Sequence, residues 1–404
     1  MAAVGRWTAA ALLFGLGLSV ALAGGMVVDP SPQDGPQPEI ADGPPSADAD
    51  QPDPPWEAAL DGPTTAETAP GGPTTAETTP GGPTTEDAGS NAHLAPLDAE
   101  RDGELQVHFI NVGQADATLV VTPSNATVLI DTGHALDDGE YVLDYLEAHG
   151  IERIDYLVAT HGHWDHIGGH PAVIETYEAE LDGVGTLFDP GVAHTTRTFE
   201  SYLDAVEAHD VPLRVVREGD AVNWDDDLDV SVLNPPDEDR ADELNDDSLA
   251  FRVEYDEASV LLPGDAEWEA ERRMAGTYGD DLDADLYKAG HHGSNTSSTP
   301  SFLARVDPDV AVVSSAYESP FGHPNEEVLA TFAHQGVETY WTAAHGSTVA
   351  ISDGGGWDIR AQANATTDPR VVRAEPPATA HPAAGVPQPQ SASEAPVTTV
   401  TSRC

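Results

Sequence analysis

The chain has 404 residues, with 71 acidic residues against 16 basic ones, a formal net charge of −55 and one lysine, Lys288. Its one cysteine, Cys404, is the last residue, which excludes an intrachain disulfide and any thiolate metal ligand inside a folded domain. Self-repulsion at this charge destabilises a compact state in dilute buffer, and a Debye length of about 3 Å at 1 M salt removes most of that repulsion. The composition therefore points to a halophile's protein that works in molar salt, and it argues against DNA affinity at low ionic strength.

Residues 1–23 open with Arg6 and an apolar run from Thr8 to Ala23 that ends in Ala21-Leu22-Ala23, a small-residue cleavage site. The run is at the short end for a membrane span, which needs about 20 residues. The expectation is a signal peptide, with an uncleaved membrane anchor as the alternative, and an extracellular or cell-surface location. No twin arginine is present and no cysteine follows the run, which argues against the Tat route and a lipoprotein. Residues 24–98 are rich in Pro, Gly, Asp, Thr and Ala, with a ten-residue repeat at 62–71, a near copy at 72–81 and a decaying third copy. They present no apolar face, so a disordered linker is expected, and Thr with Pro also resembles a glycosylated stalk.

Residues 99–361 are expected to fold. Leu105, Val107 and Phe109 alternate with Gln106 and His108, and further strands are predicted at 118–121, 128–130, 154–159, 259–262 and 285–288. Helical patterns lie at 141–149, 199–209 and 326–335. Strands alternating with helices predict an α/β layered domain, and roughly 250 residues can bury one large core. Asp225-Asp226-Asp227 reads as a solvated loop. The tail, 362–404, has a linker-like composition and is expected to be disordered. Asn125, Asn295 and Asn364 begin N-x-Ser/Thr sequons, a number that chance supplies in a Thr-rich chain.

The chemistry concentrates after the strand at 154–159, in Thr160-His161-Gly162-His163-Trp164-Asp165-His166-Ile167-Gly168-Gly169. Imidazole and carboxylate are the usual protein ligands of zinc and similar divalent metals. A loop leaving a strand can project His161 and His163 to one side while Asp165 and His166 turn toward a second point, which suits two metals bridged by water. Before it stands Leu129-Ile130-Asp131-Thr132-Gly133, and after it Leu261-Leu262-Pro263-Gly264-Asp265, Lys288-Ala289-Gly290-His291-His292-Gly293-Ser294 and Gly322-His323-Pro324. Lys288 could receive a phosphate as a point charge, with the Ser294 hydroxyl and the Gly293 amide adding hydrogen bonds. Thr299 and Pro300 start a helix as N-cap and first residue, and a helix N-terminus attracts anions. The competing reading pairs Lys288 with an acidic neighbour.

These motifs, together with His108-Phe109-Ile110-Asn111-Val112-Gly113-Gln114-Ala115-Asp116-Ala117, resemble in kind and order the metallo-β-lactamase superfamily. More narrowly they resemble the extracytoplasmic hydrolase domain of the ComEC-type competence proteins, over about residues 104–353. The resemblance implies a four-layer αββα sandwich. It implies that His161 and His163 bind a first metal, that Asp165 and His166 bind a second, that Asp265 bridges them and that His291 completes the second site. His292 could instead be the ligand or a transition-state donor, and the sequence does not separate the two adjacent histidines. Asp131 is implied to orient the ligand loop through hydrogen bonds rather than to bind a metal itself. His323 is a candidate for protonating a leaving oxygen. Asp165, His292, His323 and Lys288 form the catalytic set. The further histidine that many superfamily members carry has only weak candidates here: His170, His194 and His209.

The implied cofactors are two divalent ions, zinc first and manganese second. The implied reaction is phosphodiester hydrolysis, with DNA as the leading substrate and partner. A lactam, lactone or thioester hydrolase is the alternative enzyme, and a metal-stabilised surface binding module is the non-catalytic alternative. A membrane tether through the N-terminus is a further expected contact, and no obligate protein partner is inferable.

Overall fold

The computed structural model describes residues 103–237 and 243–378 and the backbone of Thr399–Val400. The signal peptide or anchor over 1–23, the linker over 24–98 and the tail from 379, apart from that dipeptide, lie outside the described residues.

The first strands run in chain order as β1 (Leu105–Phe109), β2 (Thr118–Val121), β3 (Thr127–Ile130), β4 (Ile154–Val158), β5 (Val184–Asp189) and β6 (Leu213–Val215). They are followed by β7 (Asp229–Asn234), β8 (Ala250–Tyr255), β9 (Ala258–Leu262), β10 (Leu286–Lys288), β11 (Val310–Val313) and β12 (Glu338–Trp341). The chain then returns through β13 (Thr348–Ser352), β14 (Trp357–Ala361) and β15 (Thr399–Val400). One sheet has the order β15-β14-β13-β1-β2-β3-β4-β5-β6 and the other β12-β11-β10-β9-β8-β7. Strands β3 to β6 pair in parallel, as do β9 to β12, while β1 pairs antiparallel with β2 and β13.

The inner core joins the facing sheets: Val107, Phe109, Val128 and Val158 from one pack with Val232, Phe251, Val260 and Val312 from the other. On the outer face of the first sheet Leu119, Leu129, Leu157 and Leu187 meet α1 (Glu140–Ala148), α3 (His170–Glu180) and α4 (Arg197–Ala208); the short α2 is Trp164–Ile167. On the outer face of the second, Leu261, Tyr287 and Val313 meet α5 (Trp268–Tyr278), α6 (Pro300–Val306) and α7 (Glu326–Gln335). This is the αββα sandwich, with every central strand covered on both sides. That covering explains β1. Its polar residues Gln106 and His108 do not face water but lie under α1, where His108 Nδ1 is 2.9 Å from the Tyr145 hydroxyl and Nε2 is 3.2 Å from Gln106 Oε1.

Two expectations are corrected. Residues 362–378 are packed rather than a disordered tail: Val372 is fully buried, and the amides of Ala363 and Ala378 donate to His345 and Ala343 carbonyls at 2.8 Å. The polar composition hid the isolated apolar residues and backbone pairs that hold this segment. Of Asp225-Asp226-Asp227, Asp226 and Asp227 are exposed as a solvated loop requires, but Asp225 is not. It is buried and accepts hydrogen bonds from the Ser124 amide and hydroxyl and from the Asp227 amide.

No helix among the described residues is long and apolar enough to cross a membrane. The carboxyl ends of β3, β4, β9 and β10 converge at one edge of the sandwich, where the loops after parallel strands gather functional groups.

Candidate metal centre

Asp131 leaves β3 in the left-handed region, at φ 57°. Its Oδ1 accepts the Thr160 amide at 2.9 Å, and its Oδ2 accepts the Thr160 hydroxyl and His166 Nδ1, both at 2.7 Å. One carboxylate thus fixes the start of the histidine loop and the tautomer of His166, whose Nε2 is left facing Asp265 Oδ2 at 3.1 Å. Burial alone would depress the His166 pKa, but the carboxylates of Asp265 and Asp131 outweigh it and hold the imidazole well above its ordinary value.

His163 precedes α2 and Asp165 and His166 lie within it, so the backbone turns between the two halves of the motif. The two glycines that follow are required by close approach. A Cβ on Gly168 would sit 2.1 Å from the Ala135 nitrogen, and one on Gly169 would sit 2.4 Å from the Thr132 carbonyl oxygen.

His161 and His163 lie together, with Nε2 and Nδ1 2.9 Å apart. Burial, above all, lowers the His163 pKa to about 4. Of the three further histidines, His194 comes to this pair: its ring lies 5.9 Å from that of His163, and its Nδ1 is 3.3 Å from the Gly162 carbonyl. His170 sits with its Nδ1 2.7 Å from the Thr132 hydroxyl, and His209 is the C-cap of α4.

Asp265 follows β9, and its amide donates to Ser248 Oγ at 3.2 Å. Its Oδ2 faces three imidazoles, with His166, His292 and His291 Nε2 atoms at 3.1, 3.6 and 3.8 Å. Burial would raise its pKa, but these histidines hold the carboxyl well below the usual carboxylate range.

The adjacent histidines after β10 both adopt left-handed backbone, φ 48° and 55°, and so diverge. His292 donates from Nδ1 to the Ser314 carbonyl at 3.1 Å, which turns Nε2 toward Asp165 Oδ2 at 3.3 Å. His291 Nδ1 lies 3.0 Å from Glu267 Oε1. Three groups bring ligand atoms within 4.8 Å of one another: His161–His166–Asp265, Asp165–His166–His292 and Asp116–Asp265–His292. Of the two adjacent histidines, which the sequence leaves open, His292 is the one grouped with Asp165 and His166. The reason is local: the Glu267 carboxylate draws His291 aside, and the Ser314 carbonyl aims His292 inward.

Asp116 was not singled out from the sequence. It lies in the loop between β1 and β2, and its carboxylate pairs with the Lys288 ammonium, both side chains at most 5% exposed. A lone acid between Ala115 and Ala117, and a sole lysine on a buried strand, were the signals that each needed a partner. Lys288 therefore meets a buried carboxylate instead of standing open to a phosphate.

Ser294 is likewise engaged within the chain, with Oγ 2.9 Å from Thr296 Oγ1, and Gly293 passes its carbonyl to the Asn325 amide at 2.9 Å. Thr299 is the N-cap of α6 but makes no side-chain cap. The anion at that helix start is the chain's own: Glu271 accepts the Ser298 amide and, at 2.9 Å, the Thr299 amide. Burial raises the Glu271 carboxyl to about 7 against the pull of those donors.

His323 lies on the far rim, its ring 5.7 Å from that of His291 and stacked at 6.4 Å over that of His292, with Nδ1 3.4 Å from Gln114 Nε2. Burial first, and then the two histidines, lower it to about 3, so it stands as a neutral imidazole.

Asp265 Oδ1 and Asp116 Oδ1 are buried without a hydrogen-bond donor. Buried carboxylate oxygens without donors are costly, and a constellation of carboxylates and imidazoles converging on one point suits a divalent cation.

A family profile described as the metallo-beta-lactamase superfamily matches residues 110–317. The chain is 30% identical over 260 residues to ComE operon protein 3 of Bacillus subtilis (strain 168), covering 60% of this chain and 32% of that protein. It is 30% identical over 250 residues to competence protein ComA of Neisseria gonorrhoeae, covering 62% and 33%. The chain thus spans about a third of the length of the curated relatives it matches. Among solved structures, the metallo-beta-lactamase fold protein YhfI from Bacillus subtilis aligns with a TM-score of 0.39 at 11% identity, covering 59% of this chain and 95% of that one. With the αββα layers and the histidine–aspartate clusters at their edge, the profile match assigns this chain to the metallo-β-lactamase superfamily, as a metal-dependent hydrolase similar to ComEC-type competence proteins.

Proposed function

We propose that this hydrolase is a phosphodiesterase that cleaves DNA outside the cytoplasmic membrane, using two divalent ions, zinc first and manganese as the alternative. The observation that carries the reading is the 30% identity to two competence proteins over 250 to 260 residues. A pair of metal ions in such a site supplies an activated water and a clamp for the attacking and leaving oxygens.

His161 and His163, with His194 beside them, would hold one ion. Asp165, His166 and His292 would hold the other, with Asp265 between the two groups. Asp131, bonded to His166 Nδ1, would keep Nε2 directed inward. Asp116 would add a carboxylate beside Asp265 and His292. His323, neutral and on the rim, is placed to offer a hydrogen bond to a leaving oxygen.

The second reading, hydrolysis of a lactam, lactone or thioester, is favoured by one observation: Lys288, the cation expected to meet a phosphate, is held by Asp116.

Protein purified in molar salt, stripped with chelator and reloaded with zinc or manganese, separates the two readings. The expected result is two ions per chain and cleavage of DNA and of a chromogenic phosphodiester. Activity on lactams or lactones alone would overturn the DNA reading and leave the superfamily assignment standing. The proposed location rests on the apolar run ending at Ala23, and N-terminal sequencing of the native protein should find a start near Gly24. An intact Met1 in the cytoplasmic fraction would refute export.

A further inference from the structure

Among the described residues, the Phe, Tyr and Trp side chains that are exposed are Tyr317 and Phe321, each 39% accessible. Both lie on the loop from Ser315 to His323, between β11 and α7. This loop ends at His323, whose ring lies 5.7 Å from that of His291 and 6.4 Å from that of His292, so the loop runs up to the metal centre.

Both are held in place. The Tyr317 ring stacks on Trp341 at 5.6 Å and 15°. Trp341 is itself buried, and its indole N–H donates to Ser315 Oγ at 2.8 Å, which ties the base of the loop to the same ring. Phe321 lies 5.7 Å from the His323 ring, and its amide donates to Ser319 Oγ at 3.2 Å. Gln114 spans the loop from the β1–β2 side: its Oε1 accepts the Ala316 amide and its Nε2 lies against His323.

We infer that Tyr317 and Phe321 form a stacking platform for unpaired nucleobases, so that the strand presented to the metal centre is single-stranded. The inference rests on the phosphodiesterase reading and narrows its substrate. Two physical arguments carry it. First, a chain of net charge −55 repels a polyanion in dilute buffer, and in molar salt the gain from counterion release, the usual source of nucleic-acid affinity, is largely lost. Affinity must then come from contacts that salt does not screen, and base–aromatic stacking is one that accepts any base. Second, the loop carries Glu318 and no lysine or arginine, so it is suited to the faces of bases and not to phosphates. Bases in a duplex have their faces covered, so only an unpaired strand can use such a platform.

The test uses the full chain, metal-loaded, in molar salt. Its substrates are a single-stranded thymidine oligonucleotide, an abasic sugar–phosphate strand of the same length, and a duplex. The readout is the ratio of kcat/KM on the base-bearing strand to that on the abasic strand. Wild type should prefer the base-bearing strand, and the duplex should be the poorer DNA substrate. Tyr317→Ala with Phe321→Ala should reduce the ratio by about ten-fold or more, mainly through KM, while Tyr317→Phe with Phe321→Tyr should keep it. If the alanine pair retains the wild-type ratio, or if both strands lose rate equally, the platform is wrong and the phosphodiesterase reading stands. A wild-type protein that cleaves none of the three overturns both together.

Discussion

Lys288 is the chain's one lysine, and it lies inside, on β10, against the carboxylate of Asp116. Removing one partner of a buried ion pair leaves the other charge without compensation, at a cost of about 3–5 kcal/mol. Lys288→Ala should therefore lower unfolding stability by about that amount, and molar salt should not rescue it, because buried pairs are screened little. Denaturant unfolding in 2 M salt checks this, and adding Asp116→Asn should recover much of the loss. A drop within about 0.5 kcal/mol, the usual range for a surface substitution, would mean that the pair does not form. The same scale explains His291 and His292. Identical neighbours in a sequence differ only in what surrounds them: Glu267 for one, the Ser314 carbonyl for the other.

The packing of β1 against α1 shows what a pattern of alternation leaves open. Alternating residues establish a strand, but the second face can be covered as well as wet. Here it carries His108 and, on the helix side, Tyr145 and the C-cap residue His149, whose ring stacks on Tyr145 at 4.1 Å. Burial lowers the His149 pKa, as it does that of His345 at the end of α8 (Thr342–His345). Both are therefore neutral in the fold and protonate more readily when unfolded. Their contribution is complete above the ordinary imidazole value of about 6.5 and is lost as pH falls below it toward the depressed folded values. Urea midpoints should thus fall between pH 7.5 and pH 5.5, and His149→Asn should make that fall shallower. An unchanged slope in the variant would show that His149 is not among the groups responsible. Helix α6 teaches a related lesson. The Thr-Pro start was legible, but the anion it attracts is Glu271 from α5.

At the scale of the whole molecule, the net charge of −55 sets the conditions under which the fold is stable. Surface carboxylates repel one another through water, and salt shortens the range of that repulsion to about 3 Å at 1 M. The unfolding temperature is expected to rise by more than about 10 °C between 0.1 and 2 M sodium chloride, measured by circular dichroism. A flat or falling response would remove the reading of this chain as adapted to molar salt.

The sequence by itself determined the superfamily, the layered α/β class and the ligand-rich loop. These depend on local order: strand periodicity, and the short spacing of His161, His163, Asp165 and His166 on one turn of chain. The glycines at 168 and 169 stand in the same motif, but the close approach that requires them, to Ala135 and Thr132, is a tertiary contact. The tertiary structure alone decided which of two adjacent histidines faces Asp165, that Asp116 meets Lys288 across 172 positions, and that His194 approaches His163. It also decided that residues 362–378 close the sandwich, through single apolar side chains too sparse to make a pattern. The division has one physical cause. Spacing along the chain fixes neighbours within a turn or a strand, whereas a side chain's partner across the fold is set by the packing of two sheets.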